Sequence, residues 1–337
     1  MSNKAKPPVQ MDVAKLAGVS SATVSRVLNH STLVKPEIKA RVEQAMRELN
    51  YMPNDAARSL ASRKSRTLGA IIPTLNNAIF AEGINAFERV ARALNYTLLL
   101  SVSNYDLDEE ENIVRKMVQK GVDGLMLIGN DHHASTFELL RNSGLQHVCV
   151  WAYQEDSKVP NIGFSNTDAM AVLVDHLVET GHKEIAMLSG VTKSNDRARE
   201  RLMGAKQRMK YYALQLTDDR VIEVPYSIRA ARTAFSQIME TSPSAILCGN
   251  DVIAFGAVLE AQSRGMQIPS EIAITGFDNL PLSAELSPAI TTIDVLADEM
   301  GAFSANALIA AIERETAVEP RCFSTKLIVR QTTAKPQ

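Results

Sequence analysis

Residues 11–29 read MDVAKLAGVSSATVSRVLN, with apolar Val13, Leu16, Ala17, Val19, Val24, Val27 and Leu28 at helical spacing on both sides of Gly18. Glycine takes a positive φ at little cost, so Gly18 is predicted to end one helix, and Ser20 to cap a second that starts at Ser21. This is the punctuation of a helix-turn-helix. The second helix opens with Ser21, Ala22 and Thr23 and continues through Ser25 and Arg26. Side chains this short at a helix N-terminus let it approach the edges of bases in a DNA groove. A third helix is predicted from Pro36 to Asn50, with proline in its first turn and a stripe of Ile38, Val42, Ala45, Met46 and Leu49. Three such helices can bury one another's stripes.

Charge supports a polyanion partner for this segment. The first 66 residues hold 12 Lys/Arg against 5 Asp/Glu, leaving 24 basic and 33 acidic residues in the rest of a 337-residue chain whose net charge is −2. A basic head on an acidic body favours phosphates at one end and limits indiscriminate sticking at the other. With 45% hydrophobic residues the chain can bury a large core, which excludes disorder and a small disulfide-stapled fold. No stretch approaches a membrane span, and the opening MSNKAKPPVQ lacks the apolar run of a secretion signal, so a cytoplasmic location is expected. Cys149, Cys248 and Cys322 are odd in number and far apart, and are read as buried, reduced thiols rather than a disulfide framework or zinc site.

Beyond residue 66 a β-α unit recurs. The runs IIPTL, TLLLSV, LMLIG, HVCVWA, IAMLSG, AILCGN and IAITGF are nearly continuous apolar stretches, as in parallel strands covered by helices on both faces. Ligands of such sheets sit beyond the carboxyl ends of the strands, which selects the loops PTLNNAIF, IGNDHH, SGVTKSNDRARERL, CGNDV and GFDNLP. His132 and His133 fall in one of these loops; a vicinal pair makes a poor metal site, and they are read as solvated. Neither G-x-G-x-x-G, nor G-x-x-x-x-G-K-S/T, nor G-x-S-x-G occurs, so neither nucleotide-dependent nor hydrolase chemistry is expected, and no cofactor. The rival reading, a periplasmic-type sugar-binding protein, is opposed by the missing signal and the basic head.

The segments DVAKLAGVSSATVSRVLN and YMPNDAARSLA resemble the head and hinge of the LacI/GalR family of bacterial transcription regulators. The resemblance implies an all-α three-helix helix-turn-helix head (residues 1–50), a hinge helix and linker (51–66), and an α/β two-lobed periplasmic-binding-protein-like body of doubly wound parallel sheets (67–337). It puts Ser21 and Ala22 at positions that vary with operator sequence, and Thr23, Ser25, Arg26 and Asn29 where phosphates and bases are contacted. Arg26, whose planar fork matches guanine, is the candidate for a bidentate base contact. In the hinge, Asn54, Ala57 and Arg58 are further DNA-contact candidates, and Leu60 is the residue wedged into the minor groove. A two-turn helix is marginal alone, so this mechanism implies a homodimer on a near-palindromic double-stranded operator.

For the body, the same resemblance implies a chain that crosses between lobes three times, the first lobe comprising about residues 68–163 and 294–321. It carries over Phe80 and Tyr226 as aromatic walls of an effector site, Arg201 as its arginine, and Asp278 of GFDN as its acidic contact. Asn250 and Asp251 have two open roles, effector contact or capping of the next helix, and Trp151 either lines the cleft or packs beside it. The purine-binding branch carries a second arginine where this chain has Asn195, which favours a sugar or sugar acid as the small-molecule effector.

Overall fold

The computed structural model describes residues 7–29, 33–52 and 64–333. The chain forms two compact units, Met1–Ser65 and Arg66–Gln337. Among the described residues, no helix is long and apolar enough to cross a membrane.

In the first unit, α1 (Gln10–Ala17) ends at Gly18, whose φ of 63° is left-handed. The next helix, α2 (Ser21–Asn29), is capped by the Ser20 hydroxyl, which accepts the Thr23 N–H at 3.1 Å. Pro36 opens α3 (Pro36–Glu48). Val13, Ala14, Ala17, Val24, Val27, Val42 and Ala45 form the core of this unit. The inward stripe runs from Val13 to Ala17, one full turn on, and leaves Leu16 half exposed at its edge.

The second unit holds two parallel sheets. The first combines β1 (Thr67–Ile72), β2 (Thr97–Val102), β3 (Gly124–Ile128), β4 (Gln146–Val150), β5 (Asn161–Gly163) and β11 (Arg321–Cys322) in the order β11-β5-β4-β3-β1-β2. The second combines β6 (Ile185–Gly190), β7 (Val221–Val224), β8 (Ala245–Cys248) and β9 (Ala273–Thr275) in the order β7-β6-β8-β9. A short antiparallel pair, β10 (Thr292–Asp294) and β12 (Lys326–Ile328), completes the set. The interior strands β1, β3, β6 and β8 are buried almost throughout, which is why their sequences are continuous apolar runs rather than alternating ones.

Around the first sheet lie α4 (Ala78–Ala93), α5 (Leu107–Gln119), α6 (Ala134–Ser143) and α12 (Ala297–Arg314). The second is covered by α7 (Asn166–Glu179), α8 (Asp196–Tyr211), α9 (Ile228–Ile238) and α10 (Asp251–Ser263), with short α11 (Pro281–Glu285) beside them. The chain leaves the first lobe after β5, returns at β10 and α12, and leaves again after β11. Two of the cysteines, Cys149 and Cys248, are buried as expected, but Cys322 is exposed because its two-residue strand lies at the sheet edge.

Candidate functional site

On α2, Ser21, Ala22 and Arg26 are exposed, whereas Thr23 and Ser25 are partly covered. The inward Val24 and Val27 hold this face outward, and Arg26 makes no ion pair among the described residues. Thr23 shares a 2.9 Å hydrogen bond with Ser20, tying a candidate phosphate contact to the helix cap. Asn29 ends α2. Asn54, Ala57, Arg58 and Leu60 lie outside the described residues.

In the second unit the carboxyl ends of four strands converge on a cavity of about 340 Å³. The β1 end contributes Pro73, Thr74 and Asn76; the β2 end, Asn104 and Tyr105; the β6 end, Val191, Lys193 and Asn195; the β7 end, Pro225 and Tyr226. Tyr105 and Tyr226 face each other from opposite lobes, ring centroids 6.2 Å apart. The Asn195 side chain caps α8 and donates to the Tyr226 hydroxyl at 3.2 Å, so it positions that ring in the lining of the cavity. The sequence reading passes over Tyr105, although the strand-end rule applied to TLLLSV points to it equally.

Of the six effector candidates, only Tyr226 is among these lining residues. Arg201 is buried, donating to the Asn166 side chain at 2.9 Å and the Gly249 carbonyl at 2.7 Å, and its guanidinium lies 3.8 Å from the Phe277 ring centroid. Its other nitrogen is 3.8 Å from Asp278, within the same lobe. Burial, opposed by Arg201 and reinforced by Asp251 and Glu82, pushes the Asp278 carboxyl up to about 8. Asp278 also has a φ of 113°, rare for a residue with a side chain, and Asn279 follows at 57°. The cavity and the buried pair are electrostatic neighbours: burial, then Tyr226, holds the Tyr105 phenol above its ordinary range, while Arg197 and Arg201 pull it down.

Several of the side chains singled out in the sequence are engaged within the protein. The Asp251 carboxylate is fully buried and accepts from Leu280 N–H at 2.7 Å, Ser283 Oγ at 2.6 Å and Thr292 Oγ1 at 2.7 Å. It clamps the loop after β9. Phe80 is buried edge-on against Trp151, centroids 5.7 Å apart, and neither is among the lining residues of this cavity. His132 is shielded from solvent rather than solvated, with Nδ1 2.5 Å from Glu110 Oε1 and Nε2 3.0 Å from the Gly129 carbonyl. Burial opposes its charge, but Cys149 and Glu110 outweigh this and hold the imidazole well above its ordinary value. Asn250 caps α10 through its oxygen, while its buried amide nitrogen has no partner. Among the described residues no group of three or more His, Cys, Asp or Glu could hold a metal.

The pattern of bacterial regulatory proteins of the lacI family matches residues 11–54, and that of periplasmic binding protein-like domains matches residues 174–333. Catabolite control protein A from Priestia megaterium is 32% identical over 307 residues, covering 90% of this chain and 92% of that protein. The ribose operon repressor of Halalkalibacterium halodurans is 34% identical over 325 residues, 96% of each chain. The crystal structure of the lac repressor dimer bound to operator and an anti-inducer aligns with a TM-score of 0.86 at 26% identity, over 97% of this chain and 99% of that one.

Proposed function

Because the chain belongs to the lacI family of bacterial regulatory proteins, a DNA-binding transcriptional repressor with an effector-binding domain and not an enzyme, we propose that its effector is a sugar or sugar acid held between the two lobes. The cavity carries this reading. Three amides, a threonine and two tyrosines line it, a set that matches the mixed donors and acceptors of a polyol and offers aromatic faces to a sugar ring. Lys193 in its lining suits a carboxylate on the ligand. No second arginine replaces Asn195, which speaks against a purine.

The head spans residues 1–50, the hinge 51–66 and the body 67–337. Two heads in a homodimer read a near-palindromic operator, with Ser21 and Ala22 at the operator-variable positions, Arg26 toward a base, Thr23, Ser25 and Asn29 toward phosphates and bases, Asn54, Ala57 and Arg58 as further DNA contacts, and Leu60 in the minor groove. An effector alters operator affinity by binding one arrangement of the lobes better than the other. Thermal-shift screening of the full-length protein against sugars, aldonates and nucleosides tests the ligand class. Stabilisation by sugars or aldonates is expected; stabilisation by nucleosides alone overturns it.

A further inference from the structure

The two lobes touch through side chains that the effector reading does not use. At the end of β3, the Ile128 carbonyl accepts from Arg197 at 3.1 Å, the Asn130 N–H donates to Asp196 at 2.6 Å, and the Asp131 carboxylate meets Arg199 at 2.9 Å. The first three residues of these pairs belong to the first lobe, and all three partners to the opening turn of α8 in the second. Arg197 also bonds Asp196 at 2.6 Å, with both side chains less than a tenth exposed, so the pair is dry only while the lobes stay together.

The first-lobe half of this contact is built to receive the other. Gly129 has a φ of 82°, and a Cβ there would lie 1.8 Å from an Arg197 nitrogen and 2.5 Å from an Asp196 oxygen, so only glycine fits. The Gly129 N–H is fixed to the Val150 carbonyl at 2.8 Å. Its carbonyl is held from behind by His132, whose other ring nitrogen faces Glu110 on α5. With an acceptor opposite each nitrogen, the ring serves as a double donor that ties the loop to the helix behind it. On the other side, Asp196 sits in the first turn of α8, where the helix dipole favours a carboxylate, and Arg201 follows one turn after Arg197 on the same helix.

We propose that Asp196, Arg197 and Arg199 form with the Ile128–Asp131 segment a latch that holds the lobes together; it rests on the reading above only in treating the cleft as one that opens and closes. These are positioning residues. A desolvated ion pair contributes little net strength but breaks sharply when one partner is removed, so the latch fixes a geometry without locking it. Because Arg201 rides on the same helix, a ligand that shifts Arg201 also shifts the latch, and the closed fraction scales the apparent affinity of any ligand selective for the closed form.

The test uses full-length protein without added ligand, comparing wild type with Asp196→Asn, Arg199→Ala and Arg199→Lys. Amide exchange at Asn130 is expected to quicken about tenfold or more in Asp196→Asn, with a larger radius of gyration by small-angle scattering and unchanged exchange in strands β1 and β6. Arg199→Ala is expected to give a smaller change in the same direction, largely restored in Arg199→Lys. Unaltered Asn130 exchange and an unaltered radius in Asp196→Asn overturn the latch; should that variant not fold, unaltered values in Arg199→Ala, whose ion pair lies at the partly exposed rim, overturn it instead. Expansion with lost protection supports the latch even if no sugar, aldonate or nucleoside binds, a result that would count against the effector reading alone.

Discussion

Replacing Asp251 with alanine separates a structural clamp from a ligand contact. The carboxylate accepts three hydrogen bonds, and its removal strands the Leu280 N–H, which cannot rotate toward another partner, while the hydroxyls of Ser283 and Thr292 can turn. An unsatisfied buried donor costs about 1–3 kcal/mol, and two partly relieved hydroxyls add to it. Burial also raises the Asp251 carboxyl to about 6 against the pull of those bonds, so losing the buried charge returns part of the cost. The net expectation is a destabilisation of about 3 kcal/mol, equivalent to roughly 6–12 °C in melting temperature for a unit of this size. Asp251→Asn is expected to cost under about 1.5 kcal/mol, because its oxygen can keep the Leu280 N–H and Ser283 while the Thr292 hydroxyl reverses to accept from the new amide. Urea unfolding followed by far-ultraviolet circular dichroism measures both variants. An Asp251→Ala protein as stable as wild type would refute the clamp.

Arg26→Ala is expected to weaken operator binding by about 1–3 kcal/mol more than random-DNA binding, the discrimination carried by one bidentate base contact; equal losses in fluorescence anisotropy at matched salt would show that Arg26 reads only phosphate. Asp278 makes stability depend on pH. Its native value of about 8 lies above its ordinary 3.8, so the native state holds the proton more tightly, and this contribution is complete below the ordinary value and lost as pH rises through about 8. Between pH 6 and 9 the wild type should therefore lose stability relative to Asp278→Asn, and a constant gap in melting temperature across that range would contradict the assignment.

The head was legible because its determinants are local. A glycine that tolerates positive φ, a serine within reach of the N–H three residues on and a proline in a first turn act through neighbours in the chain, and Gly18, Ser20 and Pro36 do as their types dictate. The parallel sheets were legible for a related reason: burial on both faces leaves its mark along each strand as an unbroken apolar run. What the amino-acid order did not determine was which polar side chains are already committed. Asp251 is taken by partners 29, 32 and 41 positions away, and His132 by Glu110, 22 positions before it. Nothing in GND or DHH distinguishes a carboxylate or imidazole aimed at a ligand from one consumed by a distant donor, since hydrogen-bond satisfaction depends on where the chain returns in space. The same holds for Tyr105 and Tyr226, which oppose each other only because two lobes, each built from its own local rules, come together across a cleft.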